Sequence, residues 1–453
     1  MCAAALRSDD ARAPRRIAVI GAGWAGCAAA TELALAGHRV TLIESSRTLG
    51  GRARAVDIDG RALDNGQHIL LGAYTESLRL MRLTGIDIDR AMLRLPLQMR
   101  YLPECGGMDF RAARLPAPLH MLLALIRASG LERADKMALA RFSSTARWMG
   151  WRLDIDCSVD ELLQRFEQTE RLIRLMWRPL CIAALNTPPE RASAHIFLQV
   201  LRDSLGARRA ASDMLLPRVD LTTLFPQAAA AFITRHGGEI QIGTAIRRIA
   251  KTDEKWRLAG DAAQALPAFD GVVIATPAAQ VNGLLVDIAS EALVPDFDYE
   301  PITTCYLQYP SDLQLDAPFY ALIDDPAVGE WGQFVFDRGQ LDAAQAGLLA
   351  VVISVSSEAI ANGKEVLAAQ VAAQLAKACA LPRLAQPEWT QVISEKRATF
   401  SCTPSLQRPI EETPYRGLVL AGDYLASDYP ATLESAARSG VKAATLLGAQ
   451  LAD

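Results

Sequence analysis

Several features that would assign this chain to a familiar class are missing from its 453 residues. No run approaches the roughly 18 consecutive apolar residues that a membrane-spanning helix needs. The chain carries 47 Lys and Arg against 51 Asp and Glu, so it has no basic excess and we predict no nucleic-acid partner. The eight cysteines form no C-x-x-C pair, which argues against a dithiol redox centre and favours reduced cytosolic thiols.

The amino-terminal residues also lack the pattern of a secretory signal. Residues 1–16 carry arginines and aspartates around a short Ala-Ala-Ala-Leu run, without the apolar core of roughly 7–15 residues that such a signal contains. We expect a disordered tail there. No internal repeat is found, and no metal site is predicted. The predicted location is the cytoplasm, with the protein either soluble or peripheral on the inner face of the cytoplasmic membrane.

The strongest positive signal is a glycine-rich turn. The apolar run Arg16–Ile20 leads into a G-x-G-x-x-G pattern at residues 21–26. In this pattern Gly21 permits a tight bend, Gly23 lets the backbone approach a pyrophosphate, and Gly26 packs helix on strand. The free N–H groups at the start of the following helix offer partial positive charge to phosphates. The turn therefore predicts half of a dinucleotide site.

The residues after the turn fit the same interpretation. Residues 27–36 have helical spacing, and residues 38–43 form a second apolar run. Glu44 ends that run about twenty residues after the turn, where a carboxylate accepts hydrogen bonds from ribose hydroxyls. No second G-x-G-x-x-G occurs, so a separate nicotinamide domain is not indicated.

The remaining sequence predicts an α/β fold assembled from separated segments. Helical spacing dominates residues 116–206, one further helix is predicted over 221–237, and strand alternation covers 239–249 and 301–356. The last forty residues return to the strand, loop and helix style of the opening. We predict a Rossmann-type dinucleotide-binding domain at 15–95, 215–285 and 410–453, and an inserted α+β substrate domain with a helical subregion at 96–214 and 286–409.

Five motifs spread over nearly the whole chain give it a resemblance to known flavoproteins. They are IAVIGAGWAG, GGRAR at 50–54, DNGQHILLGAY at 64–74, WRPLCIAALNTPPERAS at 177–193 and LAGDYLASDYPATLESAARSG at 420–440. The chain resembles the amine oxidase and phytoene desaturase flavoproteins and, within them, the bacterial hydroxysqualene dehydroxylases. The third and fourth motifs carry the narrower resemblance.

The resemblance implies that the dinucleotide is FAD, bound noncovalently because no His or Cys lies in a recognisable flavin-linkage motif. Arg52 would offer a cation near the pyrophosphate, Asp423 would accept from ribityl hydroxyls, and the helix that follows Thr432 would face the flavin. The predicted FAD-binding residues are Gly21, Gly23, Trp24, Ala25, Gly26, Glu44, Gly51, Arg52, Gly66, Gln67, Ile246, Thr276, Gly422, Asp423, Ala431 and Thr432.

The implied reaction is the reductive dehydroxylation of hydroxysqualene to squalene, in squalene and hopanoid biosynthesis. Reduced flavin would deliver a hydride as the allylic hydroxyl leaves, which requires an acid near that oxygen. Asp64 and His68 are the candidate catalytic residues, and Tyr429 is a candidate wall of the substrate pocket. Amine oxidases of this family usually carry a lysine near the flavin, whereas the comparable stretch here offers Thr303 and Thr304.

Other interpretations stay open at this point. A carotenoid or polyisoprenoid desaturase would run the flavin in the opposite direction, an amine oxidase would need a polar pocket, and a non-catalytic flavoprotein would carry isoprenoid between squalene-pathway enzymes. The expected partner is a C30 polyisoprenoid. An apolar helix predicted at 115–130, flanked by His120, Arg127 and Arg133, is explained equally by a core helix, a tunnel wall or peripheral membrane contact.

Overall fold

The computed structural model describes residues 14–102, 106–204, 206, 208–260 and 266–452. Residues 1–13 of the predicted tail lie outside the described residues. The strands are β1 (Arg16–Ile20), β2 (Arg39–Ile43), β3 (Ala55–Ile58), β4 (Arg61–Asp64), β5 (Leu70–Leu71), β6 (Met92–Leu95), β7 (Gln98–Arg100), β8 (Asp109–Arg111), β9 (Met214–Pro217), β10 (Glu239–Gln241), β11 (Ile246–Thr252), β12 (Lys255–Gly260), β13 (Gly271–Ile274), β14 (Tyr299–Gln308), β15 (Phe319–Ala321), β16 (Phe334–Asp337), β17 (Leu348–Ser354), β18 (Trp389–Phe400) and β19 (Leu418–Leu420). The helices are α1 (Trp24–Leu35), α2 (Thr75–Thr84), α3 (Ile88–Ala91), α4 (Leu119–Arg127), α5 (Arg133–Trp148), α6 (Val159–Arg165), α7 (Glu170–Leu172), α8 (Arg178–Leu185), α9 (Ala194–Ser204), α10 (Arg209–Ser212), α11 (Leu221–Leu224), α12 (Pro226–Arg235), α13 (Ala278–Leu284), α14 (Lys364–Ala378) and α15 (Leu433–Gln450).

The central sheet is parallel and has five strands in the order β10-β2-β1-β13-β19. Strands β1, β2 and β13 are apolar and buried almost throughout, as expected of parallel strands with helices on both faces. The chain moves from β1 to β2 and β10 on one side, and β13 and β19 lie on the other. Such a reversal opens a crevice at the carboxyl ends of the strands, where doubly wound sheets bind dinucleotides.

Helices α1 and α15 cross at backbone contact distance beside this sheet. A Cβ atom on Gly440 of α15 would lie 2.2 Å from the Ala25 carbonyl oxygen of α1. Helix α1 is buried along most of its length, in keeping with its run of alanines. The small residues at this crossing let α15 complete the layer of helices over the central strands.

A second five-stranded sheet is antiparallel, in the order β15-β16-β17-β14-β18. On one face, Cys305 and Leu307 of β14 belong to a cluster with Val371 and Leu375 of α14. Because side chains alternate along a strand, the intervening residue Tyr306 lies on the other face. That face meets the segment joining β4 to β5.

Helices α4 to α9 form a largely helical region between β8 and β9. Its aromatic centre is Trp177, in a π-helical turn at Ile173–Trp177, with the rings of Phe142 and Phe197 at 4.5 and 6.2 Å. The Trp177 Nε1–H donates to the Gln168 side-chain oxygen at 2.9 Å. Within the described part of the chain, no helix combines the length and apolar character needed to cross a bilayer.

Three predicted elements were wrong in their bounds. The helix over 221–237 is two helices, because Phe225 (φ −149°, ψ −53°) interrupts it before Pro226 starts α12. The strand over 239–249 divides into β10 of the central sheet and β11 of a separate hairpin. The helix over 115–130 shortens to α4, since Pro116 and Pro118 lack the N–H groups that a helix interior uses.

Candidate functional site

The glycine-rich turn joins the carboxyl end of β1 to α1. Gly21 has φ +101°, and a Cβ atom there would lie 2.6 Å from the Ala275 carbonyl oxygen. A Cβ atom on Gly26 would lie 1.8 Å from the Gly21 carbonyl oxygen. On Gly23, by contrast, it would meet only the Cα of Gly51, at 3.9 Å, among the described residues. Two glycines therefore close the turn, and the third leaves open backbone.

Glu44 follows β2 and lies beside this turn. Its Oε2 accepts a hydrogen bond from the Ala22 N–H at 2.7 Å, and its Oε1 accepts one from the Ser46 N–H at 2.8 Å. The carboxylate is buried and ties the turn to the end of β2. Its contact with a ribose stays a prediction.

Arg52 links the second glycine segment to the end of β19. Its Nη2 donates to both carboxylate oxygens of Asp423, at 2.6 and 2.7 Å, and its Nη1 donates to the Ala398 carbonyl at 2.6 Å. Gly51 has φ +64°, and a Cβ atom there would lie 3.1 Å from the Gly23 Cα. The structure thus brings these predicted residues together. The pyrophosphate role of Arg52 and the ribityl role of Asp423 stay predictions.

The segment after β19 leads into the start of α15. The Gly422 N–H donates to Ser439 Oγ at 3.0 Å. Thr432 is the N-cap of α15, and its Oγ1 accepts from the Ser435 N–H at 3.1 Å. Ala431 precedes the cap and is half-buried. The partial positive charge at the start of this long helix therefore lies beside Ala431 and Thr432.

Residues 64–68, between β4 and β5, are held by the second sheet. The Tyr306 hydroxyl donates to the Asp64 carbonyl at 2.7 Å and accepts from Gln67 Nε2 at 2.9 Å. Gln67 Oε1 accepts from Arg338 Nη1 at 3.1 Å. Backbone and side chain of this segment are thereby fixed against β14 and the turn after β16.

The two candidate catalytic residues lie in this segment in different electrostatic surroundings. Asp64 is 5% exposed, and its Oδ1 accepts from the Leu221 N–H at 2.9 Å. Burial raises the pKa of Asp64 to about 6, against the lowering effects of that hydrogen bond and of Arg338. Burial lowers the pKa of His68 to about 4, so its imidazole is neutral at pH 7.

Four other predicted cofactor residues lie at the ends of elements. Trp24 and Ala25 open α1, and the Trp24 ring packs against Phe225 at 5.2 Å. Ile246 begins β11, and Thr276 follows β13 next to the glycine-rich turn. Their contacts with a cofactor stay predictions.

Tyr429, the predicted pocket wall, lies between α9 and α15. Its hydroxyl donates to Asp203 Oδ2 at 2.6 Å, and the Arg438 guanidinium lies over its ring at 4.7 Å. The aromatic ring is therefore held in one orientation from both sides. Contact between this ring and a substrate stays a prediction.

Five buried polar atoms near these segments have no hydrogen-bond partner among the described residues. They are Trp24 Nε1, His68 Nδ1, Thr276 Oγ1, Thr304 Oγ1 and Tyr424 OH. Buried polar groups in proteins are nearly always hydrogen-bonded, so these five atoms are available to a bound ligand. Among the residues that the structure describes, no cluster of three or more His, Cys, Asp or Glu suits a metal ion.

Three residues of this region were missed from the sequence. Tyr424 directly follows the predicted pair Gly422 and Asp423, and that position was the available signal. Tyr306 and Arg338 gave no local signal, because they contact Gln67 from 239 and 271 residues along the chain.

A family model described as flavin containing amine oxidoreductase matches residues 24–447. The chain belongs to this family. It is an FAD-dependent oxidoreductase, and the predicted cofactor and α/β flavoprotein fold are confirmed. The division into domains by residue number stays a prediction.

Curated relatives extend over nearly the full length of this family member. Hydroxysqualene dehydroxylases from Rhodopseudomonas palustris and Zymomonas mobilis are each 28% identical, covering 96% and 94% of this chain and 98% of each relative. Zeta-carotene desaturase from Synechocystis is 25% identical, covering 95% of this chain and 96% of its own. The predicted resemblance to hydroxysqualene dehydroxylases, with carotene desaturases as further relatives, is thus confirmed.

Solved structures share the fold at lower identity. A putative protoporphyrinogen oxidase from Exiguobacterium has a TM-score of 0.69 at 18% identity, covering 97% of this chain and 100% of its own. Cyclohexylamine oxidase from Brevibacterium oxydans has a TM-score of 0.67 at 19% identity, with the same coverage. At this identity the likeness concerns the fold alone.

The residues present fit FAD. The open backbone at Gly23 leaves room for a pyrophosphate at the start of α1, and Glu44 is placed for a ribose. Arg52 and Asp423 lie between the turn and the start of α15, and the unpaired hydroxyls of Thr276 and Tyr424 offer further polar contacts. When bound, FAD supplies hydride transfer to or from an organic substrate.

Proposed function

We propose that this protein is an FAD-dependent hydroxysqualene dehydroxylase, which converts hydroxysqualene reductively to squalene. The observation that carries the proposal is the match to relatives of that name at 26–28% identity, over 94–96% of this chain and 98% of each relative. The family resemblance supports it, since the stretch comparable to the lysine-bearing strand of amine oxidases offers Thr303 and Thr304 and no lysine. The substrate is accordingly a neutral C30 polyisoprenoid alcohol.

The reaction requires a proton for the departing hydroxyl. Asp64 suits this requirement better than His68, because a carboxyl group with a pKa near 6 is partly protonated close to neutral pH. His68, with a pKa near 4, carries no extra proton to donate under those conditions. The neutral imidazole instead offers a hydrogen-bonding group, since its Nδ1 is buried without a partner among the described residues.

A second candidate is carotenoid desaturation, favoured by the zeta-carotene desaturase match over 95% of this chain. This reaction would remove hydrogen from a polyene and leave the flavin reduced. It shares the apolar substrate and differs in the direction of electron flow, so one experiment separates the two.

The test uses holoenzyme whose FAD has been reduced chemically under anaerobic conditions. Addition of hydroxysqualene should give squalene, with one flavin reoxidised per molecule formed. The control mixes oxidised holoenzyme with squalene, phytoene or zeta-carotene. Squalene formation without flavin reoxidation would contradict the proposal. Flavin reduction by a hydrocarbon without any alcohol would assign the protein to the desaturases.

We further propose that α4 holds the protein on an anionic membrane, from which a C30 substrate is taken. Leu119, Leu122 and Ile126 are 51%, 51% and 63% exposed, and we call these three residues the α4 surface. Residues 111–152 around it carry eight Arg or Lys and two acidic residues, in a chain of net charge −4. An apolar stripe with a basic surround favours an anionic lipid surface.

One predicted feature of this helix was wrong. His120 is 1% exposed and therefore points into the protein, not to the rim of the α4 surface. Arg127 and Arg133 are exposed at the end of α4 and the start of α5. Lys136 of α5 donates to the Ile126 carbonyl at 2.9 Å, which keeps a third cationic residue beside the surface.

A further inference from the structure

The Thr304 hydroxyl is a buried polar group that the protein itself does not satisfy. Thr304 is 1% exposed, and its Oγ1 has no hydrogen-bond partner among the described residues. The hydroxyl of the neighbouring Thr303 does have partners, since its Oγ1 is hydrogen-bonded to Ser356 Oγ at 2.8 Å and to Ser394 Oγ at 2.9 Å. An unmade hydrogen bond in a dry site carries a free-energy cost, so Thr304 requires an explanation that Thr303 does not.

The Thr304 side chain lies on the face of β14 that meets residues 64–68. Residues two apart on a strand share a face, and Tyr306 on that face contacts Asp64 and Gln67. A Cβ atom placed on Gly66 would lie 3.8 Å from Thr304 Oγ1, with no other described atom within 4 Å. The hydroxyl therefore faces Gly66, a residue with no side chain to pair it.

The segment that faces Thr304 is held in place by hydrogen bonds to its neighbours. Gln67 is bound on both sides of its amide, by Tyr306 and by Arg338, and Arg338 is only 3% exposed. The Arg338 Nε donates to Gln345 Oε1 at 2.9 Å, which fixes the guanidinium in turn. Residues 64–68 are thus held in place, and the described residues supply no partner for the Thr304 hydroxyl.

We propose that Thr304 Oγ1 hydrogen-bonds the hydroxyl oxygen of an allylic C30 alcohol and is a specificity-determining residue of this site. The proposal rests on the proposed function. A threonine hydroxyl both donates and accepts, so it suits a neutral alcohol and gives no charge with which to hold an amine. Squalene lacks the hydroxyl, so the product leaves Thr304 unpaired and is bound less tightly than the alcohol.

The test compares Thr304→Val with Thr304→Ser in oxidised holoenzyme. Dissociation constants for hydroxysqualene and for squalene are measured by titrating the flavin absorbance. Thr304→Val should weaken hydroxysqualene binding about 3- to 10-fold and leave squalene binding unchanged. Thr304→Ser should stay close to wild type, because it keeps the hydroxyl.

Two control measurements separate this role from a structural one. The unliganded melting temperature of Thr304→Val should equal or exceed that of wild type, because removing an unsatisfied hydroxyl relieves a cost. A lower melting temperature, an equal loss of affinity for both ligands, or no loss for either would overturn the proposal. A changed flavin spectrum or FAD affinity in the absence of substrate would assign the hydroxyl to the cofactor instead.

The outcomes for Thr304 and for the overall reaction are distinguishable. Wild-type enzyme that forms no squalene from hydroxysqualene refutes the proposed function, whatever the variants do. Wild-type enzyme that forms squalene, with Thr304→Val matching it in both affinities, refutes the role of Thr304 alone.

Discussion

Gly23 is the residue that most directly tests the position of the pyrophosphate. Its backbone angles, φ −70° and ψ 178°, suit any residue, and the nearest described atom to a Cβ placed there, apart from its chain neighbours, lies 3.9 Å away. Gly23→Val should therefore fold, while its side chain blocks the cofactor. We expect at least a tenfold loss of FAD affinity, roughly 1.4 kcal/mol, measured by flavin absorbance after equilibrium dialysis.

The matched control is Gly26→Val in the same turn. Its Cβ would lie 1.8 Å from the Gly21 carbonyl oxygen, so this variant should fail to fold, as followed by circular dichroism. A folded Gly23→Val that purifies with full flavin occupancy would place the cofactor elsewhere.

Burial of Asp64 makes the free energy of unfolding depend on pH, and the direction of that dependence follows from the raised pKa. Its pKa rises from 3.8 to about 6, so the protonated carboxyl group favours the folded state. That contribution is complete below about pH 4 and is lost as the pH rises through about 6. Between pH 4 and 7, wild type should lose on the order of 2–3 kcal/mol of unfolding free energy relative to Asp64→Asn.

Urea unfolding of both proteins across this pH range measures the effect. Asp64→Asn keeps an oxygen to accept from the Leu221 N–H, so the comparison isolates the charge. A difference between the two proteins that is constant with pH, or that grows in the opposite direction, would contradict the assigned pKa.

At the scale of single elements, α4 carries the prediction for membrane contact. Replacing Leu122 and Ile126 together by Asp removes two exposed apolar side chains and adds negative charge. Co-sedimentation with anionic vesicles should fall about tenfold or more, because burial and electrostatic attraction are both lost. The melting temperature should hold, since both side chains are mostly exposed.

Val328→Asp is the matched control for this pair. Val328 is 66% exposed and lies far along the chain from α4, so replacing this one apolar side chain by Asp should leave vesicle binding intact. Equal losses in both variants would indicate a general effect of charge. Unchanged binding of the α4 variant would remove α4 from any membrane contact.

The sequence predicted the type of most elements better than their ends. Apolar runs and glycine signals were sufficient for β1, α1 and β2, because local pattern and burial agree there. The hydrophobic spacing gave no sign of the break at Phe225 between α11 and α12. It also gave no sign of the break at residues 242–245, where the chain passes from the central sheet to a separate hairpin. Such breaks are decided by tertiary packing, which a local pattern does not contain.

At the scale of the whole molecule, some residues of the candidate site were predictable from the sequence and others were not. The turn at residues 21–26 and the pair Gly422–Asp423 belong to contiguous motifs, so their place at strand ends was predictable. The contacts of Arg338 and Tyr306 with Gln67 join distant segments, and only the folded sheet order brings them together. Arg52 likewise meets Asp423 across 371 residues.

The crossing of α1 and α15 constrains when the protein becomes competent during its synthesis. Ala25 leaves the ribosome early, whereas Gly440, which packs on its carbonyl, is added hundreds of residues later. At roughly 5–20 residues per second, this delay lasts tens of seconds. Through that interval α1 lacks the contact with α15, and Asp423 has not yet been synthesised. The complete pair of helices, and the Arg52–Asp423 contact beside it, therefore forms only after translation has passed α15.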